Sequence, residues 1–380
     1  LKTPETPRKD RGPAEFRQAP FFVSRATGMF GLQSASRPGY KTRAGFLPGR
    51  VRKPMIVTKI LTSFSVILAG LAVGYAVQVL AARGLIRLPV AVDTLRKGLQ
   101  RAALLFLNPV AVAGATWIVT IRDPAVAALP LVGLFAIVSG GALALGAARL
   151  LGLPPKKTGA FFCCGSFTNI GSIGALVCYL YLGEPGFALV PVYKIFEELS
   201  YYSTGFPIAK HYSGSAVAEG RWDRVKGLAR DPLILVSVSA LLLGGALNAS
   251  GVERPAIYGA VNAVFIPLTT FLLLVSVGLA LRFRRVGDYL RESAAVAAIK
   301  FAAVPALTCA MALALGFGSI DGGLPLKVVL ILSSMPVAFN ALIPPSIYDL
   351  DLDLANSCWF VTTALLALVL PALLFAVQSM

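Results

Sequence analysis

Long apolar runs alternate with short polar connections along most of the chain. Ten such runs stand out, at roughly 58–82, 99–120, 125–149, 157–182, 186–210, 232–250, 255–281, 291–316, 325–347 and 355–378. Each is close to the ~20 residues that an α-helix needs to cross the hydrocarbon of a bilayer. A transmembrane barrel would show short alternating segments instead. The pattern predicts an all-α polytopic membrane protein with ten transmembrane helices. The longest and most polar connection, 211–231, divides them into five and five.

Two runs are interrupted. The fourth contains "CCGSFTNIGSIG" at 163–174, and the ninth contains "MPVAFNALIPPSIYD" at 335–349. Gly165, Gly171 and Gly174 each weaken a helix by about 1 kcal/mol relative to alanine. Pro336, Pro344 and Pro345 remove donors and clash with the preceding turn. The fourth run has glycines but no proline at its break. In lipid a broken backbone is tolerated only where protein or a watery cavity satisfies the freed groups.

The halves also resemble each other. Asn169 and Asn340 hold similar places in them, and the second and seventh runs carry mid-run prolines, Pro109 and Pro267. Because five is odd, the second copy inserts upside down. The expected domains are two inverted five-helix repeats, 55–210 and 232–380, joined by 211–231. Matching interruptions point to a site between half-helices, whose N-termini suit an anion. Ser166, Thr168, Asn169, Pro336 and Asn340 are expected to line it. The alternative for the fourth run is that its small and hydroxyl residues serve close helix packing.

Composition strengthens the membrane reading. Of 380 residues, 56% are hydrophobic and 14% charged, with a mean hydropathy of +0.75. A soluble domain carries about a quarter charged residues. The connections fall alternately on two faces. Counting adjacent run ends, one face holds seventeen Lys and Arg and the other three, Arg122, Arg254 and Lys327. Positive charge marks the inner side. The ten-helix body is therefore expected to have both ends outside and the 211–231 connection inside.

Residues 1–54 are different: twelve Lys and Arg, three Asp and Glu, and no long apolar run. They read as a disordered basic tail. Either a targeting peptide or an upstream extension of a chain starting at Met55 fits this composition. The excess of basic charge on the outer face favours the extension.

Several chemistries lack their residues. The five cysteines, Cys163, Cys164, Cys178, Cys309 and Cys358, fall in or beside apolar runs without metal-ligand spacing, and His211 is the single histidine. Zinc-protease, P-loop and dinucleotide signatures are missing. No enzyme, catalytic residue, metal, cofactor or nucleic-acid partner is expected. Asp349, Asp351 and Asp353 alternate in "YDLDLDL", but the glycine and bidentate acid of a calcium loop are missing, so a solvated turn is expected.

Charges also lie inside the runs: Lys194, Glu197 and Glu198 in "YKIFEELSYY", and Lys300. Such charges usually face a protein interior or an aqueous path. Lys194 can pair at i,i+3 or i,i+4 with either glutamate. The spare glutamate is then expected to pair with Lys300 or to carry a coupling proton, with a lysine attracting a substrate carboxylate. A purely structural ion pair is the alternative.

Five pieces occur in order over roughly 57–380: "NPVAVAG", "DPLILVSVSALLLGGALNASG", "IPLTTFLLLVSVGLAL", "IKFAAVPAL" and "SSMPVAFNALIPPSIYDLDLDLA". Together they resemble the auxin efflux carrier family of membrane transporters. The resemblance implies ten spans in two inverted repeats, outward termini, and broken fourth and ninth helices that cross. It implies transport of a small organic anion such as a carboxylate. Asn169 with its flanking glycines, and Pro336 with Asn340, match the family's crossover. The long hydrophilic loop of plant members is absent, which implies a bacterial-type carrier in the inner (plasma) membrane. Proton or sodium coupling and a homodimer are open. The bile-acid sodium symporter family shares the architecture and stays an alternative, although its clustered Glu, Asn and Gln oxygens are not evident. An anion channel is a third reading. Saturable uptake with counterflow would separate carrier from channel.

Overall fold

A computed structural model describes residues 53–118, 124–214, 232–281 and 286–380. The expected basic tail lies outside them except for its last two residues, as does most of the 211–231 connection. Among the described residues the chain is helical, with no strand. An isolated antiparallel bridge pairs Thr168 with Val337.

Twelve helices follow in chain order. They are α1 (Lys53–Ala82), α2 (92–116), α3 (Leu129–Leu150), α4 (Pro155–Ser166), α5 (170–193) and α6 (197–211). The second half holds α7 (Pro232–Ala249), α8 (Ile257–Gly278), α9 (290–314), α10 (Leu324–Ser333), α11 (339–347) and α12 (Leu352–Ser379). Helix occurs within each of the ten expected segments. Six stretches, however, are individually long and apolar enough to cross a membrane: Leu61–Ala82, Pro124–Leu150, Ile170–His211, Ile257–Gly278, Val286–Ala314 and Leu352–Ser379. The difference has local causes. The fourth and ninth segments are cut into short halves. The second half of the fourth joins the fifth in one 42-residue stretch, bent at Gly183, whose φ of 76° suits glycine. α2 begins with a charged turn, and α7 is short.

Proline shapes several helices in one way. Wide π-turns at Ala103–Leu107, Tyr201–Gly205 and Ile299–Ala303 each end two residues before a proline, Pro109, Pro207 and Pro305. A proline ring clashes with the carbonyl four residues back. The wide turn absorbs that clash without ending the helix. Tyr201 and Lys300, both important below, lie in these turns.

The helices pack as two groups. In one, α1 lies along α8, and α2 packs on α7 and α8. In the other, α3 packs on α4 and α9, α10 on α5 and α9, and α12 on α4 and α9. α5 meets both α2 and α8 of the first group. Glycine sets the closest approach in the first group. A Cβ on Gly74 would lie 2.1 Å from the Val275 carbonyl, and one on Gly278 would lie 2.4 Å from the Leu71 carbonyl.

A polar cluster ties the groups together at one end. The Arg254 guanidinium pairs with the Glu184 carboxylate and donates to the Gly114 carbonyl at 2.9 Å. Asn262 Nδ2 donates to Glu184 Oε2 at 3.1 Å. The Arg254 and Glu184 side chains are only 13% and 16% exposed. Removing one partner of a largely buried pair strands the other charge. Glu184→Ala should therefore lower stability by about 2–4 kcal/mol. Adding Arg254→Leu should recover part of it, because an apolar pair leaves no stranded charge. Melting temperatures in detergent test this; equal losses in the single and double variants would show that the pair is not the cause.

Candidate functional site at the meeting of two interrupted helices

α4 ends at Ser166 and α5 begins at 170, with Phe167 extended (φ −88°, ψ 123°). α10 ends at Ser333 and α11 begins at Phe339, with Ala338 extended (φ −68°, ψ 150°). The two extended segments lie antiparallel. Asn169 N–H donates to the Pro336 carbonyl at 2.9 Å, and Ala338 N–H donates to the Phe167 carbonyl at 3.0 Å. Thr168 N–H donates to the Tyr201 hydroxyl at 3.1 Å. Val337 N–H donates to Thr362 Oγ1 at 3.3 Å. Pro336 has no N–H to place.

Buried peptide donors need partners, and here each finds one. The arrangement repeats in the two halves. Each break lends one N–H to the other break and one to a hydroxyl on a later helix of its own half, α6 or α12. The fourth segment breaks without proline because this lacing replaces the lost helical bonds. Phe167 also stacks on Tyr201, with ring centroids 3.9 Å apart.

The start of α5 is the more open part. A helix leaves its first four N–H groups without intrahelical partners. Ile170 N–H bonds the Thr168 carbonyl at 2.8 Å. Ile173 N–H donates to Asn169 Oδ1 at 3.3 Å, and Ser172 Oγ donates to the same oxygen at 2.5 Å. Gly171 and Ser172 carry the other two of these N–H groups, with no partner among the described residues, and both residues are half-buried. The Lys194 ammonium stands beside them. A Cβ on Gly171 would lie 3.2 Å from Lys194 Nζ, so a side chain there would crowd the charge.

Lys194 lies at a turn between α5 and α6, with its side chain 30% exposed, and its Nζ is 3.1 Å from Glu197 Oε2. Oε2 has no hydrogen-bond partner, so this contact is an ion pair without hydrogen-bond geometry. Glu197 Oε1 accepts from the Tyr201 hydroxyl at 2.9 Å. Lys300, 1% exposed, donates from Nζ to Thr168 Oγ1 at 2.7 Å. Among the described residues no carboxylate forms an ion pair with it. The polar chain therefore runs Lys194–Glu197–Tyr201–Thr168–Lys300 and passes through the meeting point.

The structure brings Thr168, Asn169, Pro336, Lys194, Glu197 and Lys300 together. The spare charge of Lys300 meets a hydroxyl rather than a glutamate, and Glu197 serves Lys194 and Tyr201. Glu198 is half-buried next to Glu197. Ser166 is placed elsewhere: it is 3% exposed, and its Oγ donates to the Ile137 carbonyl at 3.1 Å, fastening α4 to α3. Asn340 opens α11, half-buried, beside Phe339, whose ring lies 5.9 Å from the Arg96 guanidinium. Tyr201, Thr362 and Ser172 are outside the expected set, and Gly171 belongs to it only as a glycine flanking Asn169.

Two of the three alternating aspartates have structural partners. Asp351 caps α12 by accepting from Leu354 N–H at 2.9 Å and accepts from the Tyr289 hydroxyl at 3.0 Å. Asp349 pairs with Lys156 at 2.5 Å, linking the start of α4 to the end of α11. The Lys156 ammonium holds the Asp349 carboxyl below the usual carboxylate range.

No protein-family model matches the chain. It is similar to a protein of Methanothermobacter thermautotrophicus (strain Delta H) described as an uncharacterized transporter. The two are 27% identical over 246 residues, which make up 64% of this chain and 76% of that protein.

Proposed function

We propose that the chain is a secondary transporter of small organic anions, of the auxin efflux carrier type, working by alternating access around the meeting point of the interrupted helices. One observation carries this reading: two broken helices satisfy each other's backbone, yet leave the Gly171 and Ser172 N–H groups beside the Lys194 ammonium. Unpaired helix N-terminal donors and a cation together favour a carboxylate. The similarity to an archaeal protein named as a transporter supports the general class.

In this reading the ten helical segments all cross the bilayer as two inverted five-helix repeats. The connection 211–231 faces the cytoplasm of a bacterial-type cell. The group of α1, α2, α7 and α8 rocks against the rest. The Arg254–Glu184 cluster at one end and the Thr270 hydroxyl, which donates to the Ser172 carbonyl at 3.3 Å, are contacts between the groups that must loosen during the cycle.

A thermal-shift screen of the purified chain tests the reading, with mono- and dicarboxylates across pH and sodium concentration. A bound anion at a hundred times its Kd stabilises the folded form by about 2.7 kcal/mol. At least one small carboxylate should raise the melting temperature, and Lys194→Ala should cancel the rise. A screen with no carboxylate effect at millimolar concentration would remove the anion site. An effect that strictly requires sodium would favour the sodium-symporter alternative.

A further inference from the structure

We propose that Glu197 is a proton-binding site linked to anion binding: an arriving carboxylate takes Lys194 as its counter-ion, and Glu197 accepts a proton from water in exchange. This rests on the anion-site reading above and adds the coupling to it.

One ammonium serves two claims. Lys194 Nζ is 3.1 Å from Glu197 Oε2 and also adjoins the open donors of Gly171 and Ser172. Its side chain is 30% exposed while that of Glu197 is 6% exposed. Lys194 is therefore the more open member of the pair and Glu197 the more enclosed. When a solute's carboxylate binds, two anions face one cation in a low-dielectric interior. Like charges there raise the cost of ionisation for the group with poorer compensation. Glu197 is that group, because only the Tyr201 hydroxyl still donates to it. Its Oε2 accepts no hydrogen bond, so it has room for a proton.

The surrounding charges agree. On its own segment Glu197 faces Lys194, Glu198, Tyr193 and Tyr201. Glu198 is another negative charge near the same ammonium and adds to the repulsion. From α9 come Arg291, at its start, and Lys300, whose ammonium is held by Thr168 Oγ1 at 2.7 Å and is near enough to attract the Glu197 carboxylate. α3, which packs on this segment, has Arg149 in its last turn as its single ionisable residue. α4 carries Lys156 and Lys157 in its first turn and the thiols Cys163 and Cys164 further along. Among the described residues Lys194 is the cation that forms an ion pair with Glu197, and Lys300 acts on the carboxylate only from beyond ion-pair distance.

The charge balance is simple. One carboxylate enters, one proton moves from water to Glu197 Oε2, and the net charge of the site is unchanged. A monocarboxylate would move without net charge.

The test is isothermal titration of the purified full chain in detergent with pyruvate, oxalate and phenylacetate, all ionised at pH 7. Two buffers of different ionisation heat give the protons taken up per anion. The wild type should take up about one proton per bound anion at pH 7. Glu197→Gln should bind at least as tightly and take up none. Tyr201→Phe removes a donor that favours the ionised carboxylate, so its proton uptake should persist to higher pH than in the wild type. If Glu197→Gln does not fold, this pH displacement decides instead, and an unchanged profile overturns the proposal. Anion binding without proton uptake, or uptake retained in Glu197→Gln, overturns the coupling and leaves the anion site standing. Absence of binding by all three probes in both wild type and Glu197→Gln overturns the anion site and the coupling together.

Discussion

Lys194→Ala should abolish most anion uptake by proteoliposomes. The ammonium stands over the open start of α5, where Gly171 leaves room for it. Truncating a desolvated charge that contacts an oppositely charged partner costs about 2–5 kcal/mol. At 1.4 kcal/mol per tenfold, uptake at low substrate should fall about thirtyfold or more. The Lys194 side chain is 30% exposed, but its loss strands the enclosed Glu197 carboxylate, so a size-exclusion profile must first show folded protein. Lys194→Arg should keep part of the activity, since charge is retained but the fit beside Gly171 is worse. Lys300→Met gives a contrast. Its ammonium is enclosed and held by Thr168, so its loss should disturb the meeting of the breaks before it disturbs affinity. Undiminished uptake by Lys194→Ala at equal membrane abundance would exclude the residue from the site.

The second large effect is structural. A Cβ on Gly165 would lie 2.4 Å from the Ala144 Cβ and 2.8 Å from the Gly140 carbonyl. A Cβ on Gly140 would lie 2.4 Å from the Gly165 carbonyl. The backbones of α3 and α4 are thus in direct contact, one residue before α4 ends. Overpacking a tight core typically costs 1–3 kcal/mol, occasionally more. Gly165→Val should exceed about 3 kcal/mol, because pushing α4 away also shifts Phe167 and its bond from Ala338. The expected result is little folded protein after detergent extraction. Gly146, on the far part of α3, has nothing within 4 Å of its would-be Cβ. Gly146→Val should yield normal protein, apart from the small cost of β-branching in a helix. Normal yield from Gly165→Val would mean that the contact is looser than its geometry implies.

Much of this was legible in the order of residues. The apolar runs contain the helices, and glycine in one half with proline in the other marked the two interruptions. What each glycine does was less legible. Gly165 allows α3 to touch α4, which is the packing role weighed as the alternative. Gly171 leaves space for Lys194. A Cβ on Gly174 would press within 2.9 Å of Leu332 and 3.1 Å of Met335. All three weaken a helix in the same way, so propensity alone could not sort them. Ser166 looked like a lining residue because it stands in the right string, but helical geometry turns it toward Ile137. Tyr201 and Thr362 could not be found from the sequence. A hydroxyl in an apolar run ordinarily bonds its own helix, and only the path of the chain in space brings these two to unpaired peptide donors. Lys194 and Lys300 were visible as costly charges. Their different fates, one partly exposed and one enclosed, depend on which helices cover them.

The reciprocal bonds between the two interruptions have a consequence for biogenesis. Asn169 and its acceptor at Pro336 are 167 positions apart in the chain. At 5–20 residues per second, the ribosome needs on the order of ten to thirty seconds to make that stretch. During that interval the first interruption is in the translocon or the bilayer with its partner still unmade. Its peptide groups must be sheltered by water, lipid headgroups or an insertion factor until translation catches up. The newborn chain is therefore most open to quality-control proteolysis after its first half is inserted and before its second half arrives.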